Sequence, residues 1–441
     1  MRVHLSNAVY GVFDYVAYPV AMLMAAPVLL KNLGVAQYGV WVVITAALST
    51  GSIIASGFGD ANIKYIASVR SHGDEGALLR AIRSMVGINL LLGGIVALIF
   101  WMLAPLIARR VVSSDASLQM ACLWSLRIAS LLMLVRAIES VCISTQRAFE
   151  RYGASVRISI VARLLTLAAA VALTFHGLGV VSIMSVTAFL MVLGTLAQLV
   201  RLQQYLGAVS LLPSFDNHAT SVLMGFGAFS WLLAVSGVIF SQADRLILGV
   251  SLGATAVTSY ALCVQMAQPI YGIAAAGLHF LFPYLSGRQA VAPAKDLKRA
   301  VLIAFGFNLL LVSVGTAIVL LFGRQVLHAW VGEAIARSSS GVLAPVTWSF
   351  ALLGLGATGY YTLLAFGRVR AVTLLNLAGG IAMLSMMVWA LPRTGMHGVA
   401  MVRIVYGLIT LLMYWPVFGI LHARPKSHLL VSGTGPVCEE L

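Results

Sequence analysis

Long apolar segments separated by short polar connections run along the whole chain. Twelve of these segments are about twenty residues long, and a helix of that length crosses a hydrocarbon core of about 30 Å. Apolar and polar positions do not alternate within the segments, so the pattern predicts helices rather than the strands of a membrane barrel. The predicted spans are residues 8–30, 38–60, 84–107, 118–142, 156–176, 178–201, 219–242, 255–281, 300–322, 343–366, 371–392 and 397–421.

Composition leads to the same fold class. Hydrophobic residues make up 61% of the 441 positions and charged residues only 9%, whereas about a quarter of a soluble chain is charged. Lipid offers no partner to backbone amides, so the spans must satisfy their own hydrogen bonds as helices. The first apolar run lacks a small-residue cleavage pattern and is interpreted as a signal anchor. The sequence therefore predicts an all-α polytopic membrane protein.

Basic residues are concentrated on one side of the predicted membrane. If the N-terminus is cytoplasmic, seventeen Lys and Arg residues fall in inner segments and seven in outer loops. Positively charged loops stay in the cytoplasm, so both termini are predicted to be cytoplasmic and the protein to reside in the bacterial inner membrane. This asymmetry accounts for the net charge of +15. Nucleic-acid binding is not expected, because no basic domain stands outside the membrane.

A shared register indicates two related halves. Three pairs of residues lie 219 positions apart in similar loop settings: Gly34 and Gly253, Gly179 and Gly398, and Arg151 and Arg370. Repeats with an even number of spans keep the same orientation and are related by an axis along the membrane normal. We therefore predict a six-helix N-terminal lobe over 1–208, a six-helix C-terminal lobe over 209–421 that begins with a linker at 209–218, and a polar cytoplasmic tail over 422–441.

Several ionisable residues lie inside the predicted spans, where each costs at least about 2.5–3.5 kcal/mol and rarely faces lipid. They are Asp14, Arg127, Arg136, Glu139, Arg163 and Arg403. Arg136 and Glu139 are three positions apart on one helix and can form an ion pair. One interpretation is a structural network in which these charges hold helices together.

The other interpretation is a polar cavity with excess positive charge. A guanidinium stays charged and matches phosphate with two parallel hydrogen bonds. The residues predicted to bind an anionic head group are Arg136, Arg163, Arg127 and Arg403. Asp14 and Glu139 are candidates for coupling transport to an ion gradient, and for Asp14 a hydrogen bond between helices is the alternative.

Amide and tyrosine side chains in the second half form a candidate path for sugars. They are Gln242, Gln265, Gln268 and Tyr360. Such residues also join helices within membranes, and that alternative stays open. Asp244 and Arg245 are interpreted as a pair that snorkels to the interface. No metal-ligand spacing and no cofactor motif is present, so neither a metal nor a cofactor is expected.

Five stretches carry a resemblance to a known family. They are LGVAQYGVW (33–41), GFGDANIKYIA (57–67), SQADRLILGVSLGATAVTSYALC (241–263), LFPYLS (281–286) and GRVRAVTLLNLAGG (367–380). In this order and spacing the chain resembles the bacterial polysaccharide-transport family, the oligosaccharide repeat-unit or O-antigen flippases of the multidrug and toxin extrusion-like superfamily. The resemblance implies two lobes around a central cavity that opens to alternate sides. It implies no enzymatic activity.

The expected function is translocation of undecaprenyl-diphosphate-linked oligosaccharide units for exopolysaccharide, O-antigen or capsule biosynthesis. Expected partners are this lipid-linked substrate, the membrane, and a polysaccharide polymerase and co-polymerase. A multidrug–cation antiporter of the same fold is an alternative, although it would need acidic residues to dominate the cavity. A membrane glycosyltransferase, polymerase or ligase is a third possibility, but the longest outer loop, 322–342, contains a single acid, Glu333.

Overall fold

A computed structural model describes residues 2–56, 58–71, 74–149, 152–207, 210–288 and 293–422, and long helices joined by short connections make up this part of the chain. The side chains of residues 2–17, of parts of α7 and of a few other positions lie outside the described set. The helices found within these ranges are α1 (Arg2–Ser56), α2 (Gly59–Ser71), α3 (Glu75–Val111), α4 (Ala116–Ala148), α5 (Tyr152–Phe175), α6 (Val180–Tyr205), α7 (Asn217–Leu252), α8 (Ala254–Leu278), α9 (Leu281–Arg288), α10 (Ala294–Val331), α11 (Glu333–Ala365), α12 (Val369–Leu411) and α13 (Tyr414–His422).

Two helices each contain a pair of predicted spans. The 55 residues of α1 would extend about 80 Å as one rod, more than twice the hydrocarbon thickness. Gly34 breaks this helix with a φ of 76°, and Gly395 breaks α12 with a φ of 59°. With α13 completing the last span, the two broken helices and α3–α8, α10 and α11 account for the twelve spans. The predicted fold class is confirmed.

The two halves repeat the same local structure. Gly34 and Gly253 adopt nearly the same left-handed conformation, with φ of 76° and 81°, which residues with a side chain rarely accept. Two buried asparagines at the same offset, Asn89 and Asn308, each donate a hydrogen bond to a backbone carbonyl of the following long helix. The repeat is therefore visible in conformation and in hydrogen bonding as well as in sequence.

One of the matched pairs is shifted. Gly179 precedes α6 as its N-cap, but Gly398 lies within the helical part of α12. The left-handed glycines between the fifth and sixth spans of each half are Gly177 and Gly395, which are 218 positions apart. Arg151 lies outside the described residues, so its match to Arg370 stays a prediction.

Most basic residues lie at one end of the bundle, which we call the basic end. It contains α2, the first turns of α3, α5, α7 and α10, and the last turns of α4, α6 and α11. The segment between the halves is attached there. Arg83 donates from Nε and Nη2 to the Ser210 carbonyl at 3.0 and 2.9 Å, and the Asp216 amide donates to the Ser84 hydroxyl at 3.0 Å.

The predicted lobe boundaries stay predictions, and most of the predicted tail, 423–441, lies outside the described residues.

The halves also meet at the opposite end, where the second segment of α1 crosses α8. The Thr258 hydroxyl donates to the Val35 carbonyl at 2.7 Å, and the Tyr38 hydroxyl and Gln265 side chain are hydrogen-bonded. Gly39 allows the closest approach, because a Cβ there would lie 1.9 Å from the Ala254 carbonyl oxygen. The backbones of the two halves are thus in direct contact at this end.

Candidate functional site

A cavity of about 500 Å³ lies inside the first half, between α1, α2, α4, α5 and α6. One face of α4 supplies much of its wall, because Arg136, Ser140, Ile143 and Arg147 recur at the three- and four-residue spacing that places side chains on one side of a helix. Serine and threonine hydroxyls add further polar surface: Thr45, Ser49, Ser52, Ser144, Ser159, Thr166 and Thr187.

The charged residues among the described lining of the cavity are three arginines and one glutamate: Arg136, Arg147, Arg163 and Glu139. Arg136 Nη1 lies 2.7 Å from Glu139 Oε2, as the spacing of the two residues predicts. Glu139 is buried, while the Arg136 side chain keeps 28% of its surface exposed. Among the described lining residues, positive charges exceed negative charges by two. The arrangement therefore favours an anion.

Arg147 also lines the cavity, although it follows the predicted end of span 4. Span 4 was predicted to end at residue 142, whereas α4 continues to Ala148. Arg147 lies eleven positions after Arg136, an interval close to three helical turns. Extending the helical spacing of polar residues beyond the apolar run would have placed it on the same face.

A family model for polysaccharide biosynthesis proteins matches residues 28–302. The chain belongs to the polysaccharide biosynthesis protein family. A comparison with curated proteins found no match to this chain. Solved structures show its fold: an inward-facing multidrug resistance MATE family transporter of the MOP superfamily is 14% identical, with a TM-score of 0.74, and the match covers 93% of this chain and 98% of that one.

Two further structures extend the comparison. The lipid II flippase MurJ in an inward closed conformation is 12% identical, with a TM-score of 0.73 over 94% of this polysaccharide biosynthesis protein and 87% of MurJ. An outward-facing MATE family transporter is 15% identical over 94% and 95% of the two chains, but its TM-score is 0.59. The fold is therefore that of these transporters.

Arg403 does not line the cavity, although it was predicted to bind an anionic head group there. It is buried in the second half, where its guanidinium contacts Asp244 and stands 4.8 Å from the centre of the Phe350 ring. Tyr260 donates to Asp244 Oδ2 at 2.6 Å. The positive charge is thus neutralised by the buried carboxylate of Asp244, as in a structural network that holds helices together.

The same contacts correct the interpretation of Asp244 and Arg245. Asp244 is fully buried and joins α7 to α8 and α12 instead of reaching the interface. Arg245 pairs with Gln242, whose side-chain oxygen accepts from Nη1 at 2.9 Å. The two neighbours point to different partners because α7 continues to Leu252, ten residues beyond the predicted end of span 7.

Arg127 also lies away from the cavity, between Trp101 and Trp124. The predicted sugar-path residues are dispersed in the second half. Gln265 bonds Tyr38, Gln268 is exposed, and the Tyr360 ring meets the Tyr361 ring edge-on at 5.3 Å. The Asp14 side chain lies outside the described residues, so its assignment stays a prediction. Among the described residues, no group of three His, Cys, Asp or Glu side chains is placed to hold a metal ion.

Proposed function

We propose that this protein is a flippase for undecaprenyl-diphosphate-linked oligosaccharide units, and that the arginine-lined cavity of the first half binds the diphosphate. The observation that carries the proposal is the excess of positive charge in a cavity of about 500 Å³, a volume typical of ligand sites. It is not proposed to be an enzyme.

The pairing of Arg136 with Glu139 supports a binding role. Glu139 accepts from one terminal nitrogen of Arg136, and a guanidinium has five N–H donors. The carboxylate therefore fixes the direction of the side chain and leaves other donors for phosphate oxygens. Arg147 adds charge on the same face of α4 and Arg163 adds charge from α5, and the hydroxyls between them suit sugar hydroxyls next to the diphosphate.

The contact between the halves supports a mechanism of alternating access, because it provides a closed side. In this proposal the basic end faces the cytoplasm, as the positive-inside rule requires, and the contact of Gly39 with Ala254 closes the periplasmic side. Substrate enters the cavity from the cytoplasmic leaflet, with its polyprenyl tail remaining in lipid. Rocking of one lobe against the other then opens the opposite side. A polymerase and co-polymerase would receive the product in the periplasmic leaflet.

The test is complementation of a strain that lacks its own flippase, with polymer yield as the readout. Charge-assisted hydrogen bonds contribute about 1.5–3 kcal/mol each, so replacing two arginines should lower transport at least a hundredfold. We expect Arg136→Ala combined with Arg163→Ala to abolish polymer, and the two Lys substitutions to keep part of the activity. Arg337→Ala is the matched control, since Arg337 is exposed and paired with Glu333.

Full activity of the double alanine variant, at wild-type protein level, would overturn the arginine assignment. The alternative antiporter is tested in the same strains by efflux of a cationic dye. A cavity with excess positive charge disfavours organic cations, so we expect no efflux. Repeat units that accumulate on the periplasmic face of the null strain would instead identify a polymerase or ligase.

A further inference from the structure

The guanidinium of Arg127 lies within the membrane-spanning part of α4 without a carboxylate partner. It stands 5.0 Å from the centre of the Trp101 ring and 5.1 Å from that of Trp124. Its Nε is buried and has no hydrogen-bond partner. No carboxylate lies within ion-pair distance of it among the described side chains. An anion that neutralises this charge must therefore come from outside the described protein.

The surface around Arg127 faces the bilayer. Met120, Trp124 and Leu131 lie on the same face of α4 as Arg127, at intervals of seven, three and four residues, and are 54%, 50% and 54% exposed. Helix α4 packs mainly against other helices of the first half. On the neighbouring α3, Met102 is 68% exposed. Exposed apolar side chains on a membrane helix meet lipid.

The depth of this group is that of a membrane interface. Helix α3 has 37 residues and is about 55 Å long, so it exceeds a 30 Å hydrocarbon core by roughly 13 Å at each end. Trp101 is ten residues, or about 15 Å, from the end of α3 opposite the basic end. Tryptophans concentrate at this level. Arg127 can therefore reach lipid phosphates by extending its side chain outward.

We propose that Arg127, Trp101 and Trp124 form a binding site for the phosphate of a glycerophospholipid in the leaflet opposite the basic end. The two rings hold the guanidinium by cation–π contact, which leaves its terminal nitrogens to donate to phosphate oxygens. The indole rings and Leu131 would lie beside the part of the acyl chains that is next to the head group. The site is separate from the arginine-lined cavity and does not depend on the flippase proposal.

Native mass spectrometry of the purified full-length protein provides the test. Delipidated protein is titrated with phosphatidylglycerol, and binding is compared for wild type, Arg127→Gln, Arg127→Lys and Arg337→Gln. We expect Arg127→Gln to weaken occupancy of one lipid at least tenfold, Arg127→Lys to weaken it less, and Arg337→Gln to leave it unchanged. Thermal unfolding of each variant verifies that the protein is folded.

Two further titrations identify the chemistry and source of the ligand. Diacylglycerol, which lacks phosphate, should not occupy the site. Millimolar inorganic phosphate should not displace phosphatidylglycerol, because it lacks the acyl chains. The proposal is overturned if folded Arg127→Gln and Arg127→Lys both bind phosphatidylglycerol as wild type does, or if diacylglycerol binds equally well. Displacement by inorganic phosphate would indicate a general anion site and overturn the assignment to a lipid.

Discussion

The contact of Gly39 with Ala254 makes a sharp prediction about how the two halves move. In Gly39→Ala, the new Cβ would lie 1.9 Å from the Ala254 carbonyl oxygen and 2.8 Å from the Thr258 hydroxyl oxygen. Ordinary contacts of a Cβ atom are 3.4–4 Å, so the backbones must separate by about 1.5 Å. Because the main obstacle is backbone, a change of rotamer cannot relieve the overlap.

The energetic cost can be estimated from overpacking in protein cores, which is about 1–3 kcal/mol. If it falls only on the state in which the halves touch at this end, that state becomes about 5- to 150-fold less populated relative to the other. Gly39→Ala should therefore shift the protein toward the conformation that is open opposite the basic end. Transport that depends on cycling between both states should fall accordingly.

Spin labels on both halves measure this shift directly. Lys31 and Leu252 are exposed near the contact, one in each half, and cysteines there can carry labels in a background without native cysteines. We expect a longer distance to gain population in Gly39→Ala. Gly272→Ala is the matched control, because it adds the same methyl group to α8 with no atom within 4 Å of it. Identical distance distributions in the two variants would refute the reasoning.

The remaining predictions concern stability. Asp244→Asn leaves Arg403 buried without its counter-ion, and removing one partner of a buried ion pair costs about 3–5 kcal/mol. We therefore expect a large drop in the thermal unfolding temperature in detergent. An unchanged unfolding temperature would contradict the pairing. Asp115 caps α4, and hydrogen bonds from the Leu118 amide and then the Ser117 side chain lower the pKa of Asp115 below its ordinary value of 3.8. The contribution of the Asp115 carboxylate to stability is therefore complete above its ordinary pKa of 3.8 and is lost as the pH falls through the lowered pKa. We expect the stability difference between wild type and Asp115→Asn to shrink in acid. Thermal unfolding of both proteins over a range of pH measures this difference.

Residues of the candidate site differ in how far the sequence alone locates them. The ion pair of Arg136 with Glu139 is a contact within one helix, and its spacing predicted it. Arg147 required the true end of α4, which lies beyond the apolar run because the helix extends past the hydrocarbon. Arg403 required Asp244, a partner 159 positions away, and the sequence contained no signal that links the two.

The sequence by itself determined that the protein crosses a membrane as helices, that it repeats, and at which helix ends its positive charge collects. These properties depend on the transfer free energy of each segment and on local spacing, both of which are sums over neighbouring residues. Only the tertiary structure decided that Arg136, Arg147 and Arg163 share a cavity, that Arg403 is neutralised in the second half, and that Arg127 stands between two tryptophans. The rotation of each helix about its axis decides those contacts, and packing between distant helices sets that rotation.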